Sequence, residues 1–175
     1  MSAAHDAAFS AYFADRRDHV RRIAYLMCGD WHKADDLAQT AFVKLYGAWE
    51  RIRDPGAMDA YVRSCLVRAT VDESRRPWRR ERVVDILPEN PSVEADLAAL
   101  VTDREVFRRA LTEVPSGQRA ILVLRYYEGL DVAGTAAAMG CSEGNVKSQT
   151  ARGLAALRAA AERLGVIGPG NGRGR

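Results

Sequence analysis

The sequence predicts an all-α chain, and three observations carry that prediction. Apolar residues recur at helical spacing along most of the length. No stretch alternates over enough residues to make a strand, and there is no internal repeat. Residues 130 to 158 read as a short capped helix, a glycine turn and a second capped helix. A Pro- and acid-rich stretch separates two sets of helices. The expected architecture is therefore two small helical domains joined by an acidic flexible linker, the second ending in a helix-turn-helix.

Composition sets the outer bounds. At 175 residues the chain can hold one domain or two small ones. With 47% hydrophobic and 28% charged residues it is globular rather than disordered. The net charge of +3 is too mild to identify a nucleic-acid partner, so local charge distribution must decide. The N-terminal stretch MSAAHDAAFSAYFADRRDHV lacks a signal-peptide core, and no apolar run approaches the ~20 residues of a membrane span. A cytoplasmic protein without a membrane partner is expected. Cys28, Cys65 and Cys141 are far apart and read as small buried side chains rather than a disulfide framework. Cys28 and His32 have no second ligand pair nearby, so neither a metal nor any other cofactor is expected.

The first helix is predicted over Phe9 to Cys28, with Phe9, Tyr12, Phe13, Val20, Ile23, Ala24 and Met27 as its apolar set, ended by Gly29-Asp30. The second runs from about Lys33 to Trp49. Leu37, Ala38, Ala41, Phe42, Leu45 and Trp49 form one stripe, which is core. Asp35, Asp36, Gln39, Thr40 and Lys44 lie on the other side. By spacing alone that side is either plain solvent surface or a docking face for a basic partner. Pro55-Gly56 punctuates a turn, and a third helix follows from about Met58 to Ser74. Val62, Leu66 and Ala69 face inward, and Arg63, Arg68, Asp72 and Arg75 are spread along its outer surface. Residues 75 to 82, RRPWRRER, place five arginines around Trp78, a cluster suited to a phosphate backbone.

Residues 85 to 103 carry five acids and no Lys or Arg, with Pro88 and Pro91 breaking any helix, and the domain boundary is placed there. The domains are then 7 to 82 and 104 to 164, with 83 to 103 as linker and 165 to 175 as a glycine-rich tail expected to be disordered. In the second domain Asp103 is a candidate cap for a helix from Arg104 to Glu113, and Ser116 for one from Gly117 to Tyr127.

The helix-turn-helix follows. Asp131 caps Val132 to Met139, Gly140 stops that helix, and Ser142 caps the next, with Glu143 in its first turn. On the second helix Val146, Thr150, Gly153, Leu154, Leu157 and Ala161 are assigned inward. Asn145, Ser148, Gln149 and Arg152 are assigned outward, with Lys147 on a flank. Those polar side chains are of the kind that reads base edges and phosphates in a major groove.

Four stretches, in order, resemble the extracytoplasmic-function (ECF) group of sigma factors, bacterial RNA polymerase subunits of the sigma-70 family. They are ADDLAQTAFVKLY (34 to 46), AYVRSCLVRATVDESRRPWRRE (60 to 81), LTEVPSGQRAILVLRYYEGL (111 to 130) and GCSEGNVKSQTARGLAALR (140 to 158). The resemblance implies the roles of particular residues. Asp35, Asp36, Gln39, Thr40, Val43 and Lys44 would dock on core RNA polymerase, at its beta-prime coiled coil, with the beta flap as a second contact. Arg53, Met58, Asp59 and Tyr61 would lie near a pocket for flipped minus-ten bases. Arg63, Arg68, Asp72, Arg75, Arg76, Trp78 and Arg79 would line the single strand and its backbone. Ser142, Glu143, Asn145, Val146, Lys147, Ser148, Gln149 and Arg152 would meet the minus-thirty-five duplex. Gln149 stands where many relatives have arginine, which implies adenine rather than guanine there. The resemblance further implies binding of both double- and single-stranded promoter DNA, an anti-sigma protein as a further candidate partner, and a monomer outside the holoenzyme.

The alternative reading is a free-standing helix-turn-helix regulator. Such a protein usually dimerises to read paired half-sites and has no need of a polymerase-docking face. An enzyme is not expected. His5, His19 and His32 accompany no paired carboxylate motif, and no phosphate-binding glycine loop occurs.

Overall fold

The computed structural model describes residues 3 to 71 and 104 to 165, and those residues form helices and short connections with no strand. The expected Asp103 cap, the linker and the tail beyond Gly165 lie outside them. The first module contains α1 (Ala3–Cys28), α2 (Trp31–Ala48), a short 3-10 turn (Trp49–Arg51) and α3 (Pro55–Val71). The second contains α4 (Arg104–Thr112), α5 (Ser116–Leu122), a π-turn (Val123–Tyr127), α6 (Val132–Met139) and α7 (Glu143–Arg163).

Capping side chains set where most of these helices begin. Gly29, at φ +76°, ends α1, and Asp30 caps α2 by accepting the Lys33 N–H at 2.8 Å. That is why α2 starts at Trp31, two residues before the position expected from apolar spacing. Likewise α3 starts at Pro55, not Met58. Asp54 accepts the Ala57 N–H at 2.9 Å, and proline at the first helical position loses no hydrogen bond. The Asp54-Pro55 pair is thus a helix start rather than only a turn. Ser116 does not cap α5. Pro115 takes the cap position without a side-chain bond, and Ser116 is the first helical residue.

In the first module α1 and α2 form an antiparallel hairpin crossed by α3, around Ile23, Met27, Leu45, Val62 and Leu66, each no more than 2% exposed. Alanines at 34, 38 and 41 keep α2 close to its neighbours. Leu37, placed in the stripe by spacing, is half-buried. In the second module α5 and α7 meet at Gly153. A Cβ there would stand 3.2 Å from Leu122 Cγ and 3.3 Å from Gln118 Cβ, so glycine permits the contact.

The two modules pack together, and their cores merge into a single buried cluster. α6 and α5 lie against α3, and α5 and α4 against α1. Arg119 of α5 crosses the interface to donate to the Met27 carbonyl at 3.2 Å, while also holding the Thr112 and Val114 carbonyls at 3.0 and 2.9 Å. It caps the C-terminal end of α1, whose last turn has no basic residue of its own. A column of four side chains adds a second bridge. The Tyr25 and Trp31 rings stack at 3.8 Å and 5°, Arg21 covers the indole, and Arg108 of α4 covers the phenol and donates to its hydroxyl.

Candidate partner and nucleic-acid interfaces

The outer side of α2 exposes Asp35, Asp36, Gln39, Thr40 and Lys44, as expected from their spacing, together with Val43. Val43, in the middle of the helix, is 65% exposed. It borders a groove of about 680 Å³ between α1 and α2, floored by Phe9, Phe13, Ala38 and Phe42. Across its rim Arg21 pairs with Asp35, which holds the Asp35 carboxyl below the usual carboxylate range and raises the guanidinium. The aromatic floor is set by edge-to-face packing, with Phe13 on Phe42 at 4.8 Å and Phe9 on Tyr46 at 4.9 Å. An apolar cleft with ionic edges on a helix hairpin suits a helical partner with a few apolar anchors.

The second set of expected residues surrounds α3. Arg53 and Arg68 are exposed, and Tyr61 and Arg63 are half-buried. Met58 is a correction. It is 8% exposed and part of the core, because it falls one turn before Val62 on the inward stripe, so it lines no open pocket. Asp59 is already engaged. The Tyr12 hydroxyl donates to it at 2.7 Å and Arg16 lies 3.2 Å away. Burial, then that hydrogen bond, pushes the Tyr12 phenol well above its ordinary value. Asp72, Arg75, Arg76, Trp78 and Arg79 lie outside the described residues.

The helix-turn-helix forms as its capping residues dictate. Asp131 accepts the Gly134 N–H at 2.6 Å, Gly140 turns at φ +64°, and Ser142 accepts the Asn145 N–H at 3.1 Å. Glu143 and Lys147 are exposed on α7, and Asn145, Ser148 and Arg152 are half-exposed. Two residues of the expected reading face are corrections. Val146 is fully buried and Gln149 is 2% exposed. Three residues after Val146 the helix has turned about 300°, so Gln149 stands only about 60° from it, beside the Gly153 gap rather than opposite the core. Gln149 therefore reads no base in this conformation, and no adenine preference follows from it.

Three residues with consequences were not singled out by the sequence. Arg119 bridges the modules, and burial lowers its guanidinium below the usual arginine value. His19 and Glu128 pair across the same boundary at 2.7 Å. None of them was assigned a role by its stretch of sequence, and only the packing of α5 and the π-turn on α1 brings them into contact. Among the described residues no group of three His, Cys, Asp or Glu side chains could hold a metal ion, and no helix is long and apolar enough to cross a membrane.

Comparison with known proteins finds two family models along the chain. Residues 12 to 80 match the family model for sigma-70 region 2, and residues 104 to 157 that for sigma-70 region 4. An RNA polymerase sigma-E factor of Streptomyces coelicolor is 36% identical over 150 residues, covering 86% of this chain and 84% of that protein. The ECF RNA polymerase sigma factor SigM of Mycobacterium tuberculosis is 31% identical over 165 residues, covering 93% and 80%. In fold, the chain resembles the sigma factor RpoE of Bartonella quintana, solved in complex with the anti-sigma factor NepR. The TM-score is 0.63 at 19% identity, over 93% of this chain and 99% of that one. The chain, with a groove-bearing helical module followed by a capped helix-turn-helix, belongs to the sigma-70 family of RNA polymerase sigma factors, in its extracytoplasmic-function group.

Proposed function

We propose that this sigma factor docks on core RNA polymerase through the α1–α2 groove and reads its promoter with α3 and α7. The observation that carries the reading is the pairing of an exposed apolar groove in one module with a capped helix-turn-helix in the other. A DNA-binding regulator acting alone has no use for the groove. Asp36, Gln39, Thr40, Val43 and Lys44 form the docking edge, with Asp35 held in place by Arg21. Glu143, Asn145, Lys147, Ser148 and Arg152 meet the minus-thirty-five duplex, with Ser142 fixing the helix start. Arg53, Tyr61, Arg63 and Arg68 face the minus-ten strand, continued by Asp72, Arg75, Arg76, Trp78 and Arg79. The protein does no bond chemistry; it lowers the free energy of the melted promoter by binding the exposed strand. An inhibitor of the anti-sigma class, as bound by the B. quintana relative in fold, is a fitting partner. It would act in the cytoplasm, where polymerase and DNA are.

Run-off transcription with bacterial core polymerase on a pooled promoter library tests this. New, sequence-selective transcripts are expected only when the protein is added. Asp36→Ala with Gln39→Ala is expected to weaken polymerase binding at unchanged helicity. Lys147→Ala or Arg152→Ala is expected to reduce initiation selectively at promoters with a minus-thirty-five element. Absence of both transcription and polymerase binding would favour the free-standing regulator.

A further inference from the structure

A cleft of about 230 Å³ lies where α1, α3 and the π-turn meet, lined in part by Arg16, His19, Arg63, Tyr127 and Glu128. The Glu128 side chain, 6% exposed, enters it from the second module. His19 Nε2 is 2.7 Å from one carboxylate oxygen, and Arg63 Nη1 is 3.4 Å from the other. The Tyr127 ring stacks on His19 at 6.0 Å and 16°. The π-turn sets this placement. The Glu128 N–H bonds back five residues to the Val123 carbonyl, a wider loop than an α-turn makes. Arg63 keeps a buried Nε with no hydrogen-bond partner among the described residues, so its guanidinium has donor capacity beyond Glu128. Arg16 is balanced by Asp59 at 3.2 Å. Withdrawal of Glu128 would leave His19 and Arg63 without their shared carboxylate, and the acid that remains in the lining, Asp59, is engaged by Arg16 and Tyr12.

A carboxylate whose two oxygens are each met by a separate nitrogen donor presents what the two free oxygens of a phosphodiester would present. We propose that the His19–Arg63 cleft is a phosphate-binding site for the melted promoter strand, and that Glu128 occupies it in the free chain as an internal stand-in. The identity of the strand rests on the sigma reading; the occupancy by Glu128 does not. The promoter itself requires Glu128 to leave. Elements near minus ten and minus thirty-five are separated by about 25 base pairs, or about 85 Å of straight duplex at 3.4 Å per pair. Two modules in direct contact cannot meet both, whereas the roughly 30 residues between Val71 and Arg104 can span up to about 100 Å. One site residue, Arg63, is thus released by the same separation that brings each module to its own element.

Binding of a fluorescent single-stranded DNA carrying a minus-ten-like sequence to the free full-length chain tests the proposal. Glu128→Gln keeps the shape and removes the charge, and is expected to raise affinity about tenfold. Glu128→Asp retains the charge on a shorter arm and is expected to fall between. Adding His19→Ala to Glu128→Gln is expected to lower affinity again, and adding Arg63→Gln instead, which removes a permanent charge, to reduce the slope of log K against log salt by about 0.7, one phosphate contact on a single strand. Circular dichroism establishes that each variant is folded. A Glu128→Gln chain, or failing that a folded Glu128→Asp chain, that binds no tighter than the parent overturns the stand-in. Double variants with undiminished affinity and slope overturn the phosphate site. Polymerase pull-down in parallel separates the two readings. Failure of the sigma reading abolishes the pull-down while the oligonucleotide effects persist; failure of the cleft leaves the pull-down intact and the oligonucleotide affinities unmoved.

Discussion

Arg119 shows how much one side chain can hold. Its planar fork bonds three carbonyls drawn from α1, α4 and the turn after α4, and it is half-buried while doing so. Hydrogen bonds from a charged donor contribute about 1.5–3 kcal/mol each when their loss leaves buried acceptors unmet. Arg119→Ala is therefore expected to destabilise the chain by at least about 2 kcal/mol in urea unfolding. Arg119→Lys is expected to recover little, because an ammonium cannot reach both sides of the fork. Gln149 and Val146 teach the reverse lesson. Helical spacing already turns Val146 inward, and only the family resemblance put it at DNA; Gln149 was assigned outward, but both stand against the core.

Among the elements, the helix-turn-helix was the most legible part of the sequence, because its boundaries depend on local chemistry. Asp131, Gly140 and Ser142 each do in the structure what their side chains or backbone freedom predict. Asp131→Ala removes one such cap at a residue with no expected DNA contact. It is expected to cost about 1 kcal/mol, read as a lowered Tm, and to weaken minus-thirty-five binding only in proportion to the unfolded fraction. The starts of α2 and α3 were legible in principle. Asp30 and Asp54-Pro55 are ordinary N-terminal signals, but apolar spacing alone begins each helix at its first core residue. The π-turn was not legible at all. Val123 to Tyr127 has the same apolar pattern as a continuous α-helix, and the wider turn is seen only in the structure, where it packs on α1 and α6. The site followed suit. Faces carried by one helix, such as Asp35 to Lys44, were readable from period. The His19–Glu128 pairing joins residues with no shared motif, so only the packing reveals it.

For the whole molecule, the sequence predicts two domains, and the structure brings them into a common core. In the closed form no residue of the second module lines the α1–α2 groove, so a polymerase docked there as proposed could engage the closed chain before its modules separate. Val43→Asp places a charge at the groove's exposed apolar edge. It is expected to weaken polymerase binding at least tenfold, about 1.4 kcal/mol, with folding stability changed by no more than about 0.5 kcal/mol, as for other surface sites. Finally, the column of Arg21, Trp31, Tyr25 and Arg108 spans both modules, three members on the first and Arg108 on the second. Separation strips the guanidinium from one end of an indole–phenol stack. With Trp49 and Trp78 changed to Phe, the emission of Trp31 becomes an intrinsic optical gauge of opening, readable in real time and without any attached label.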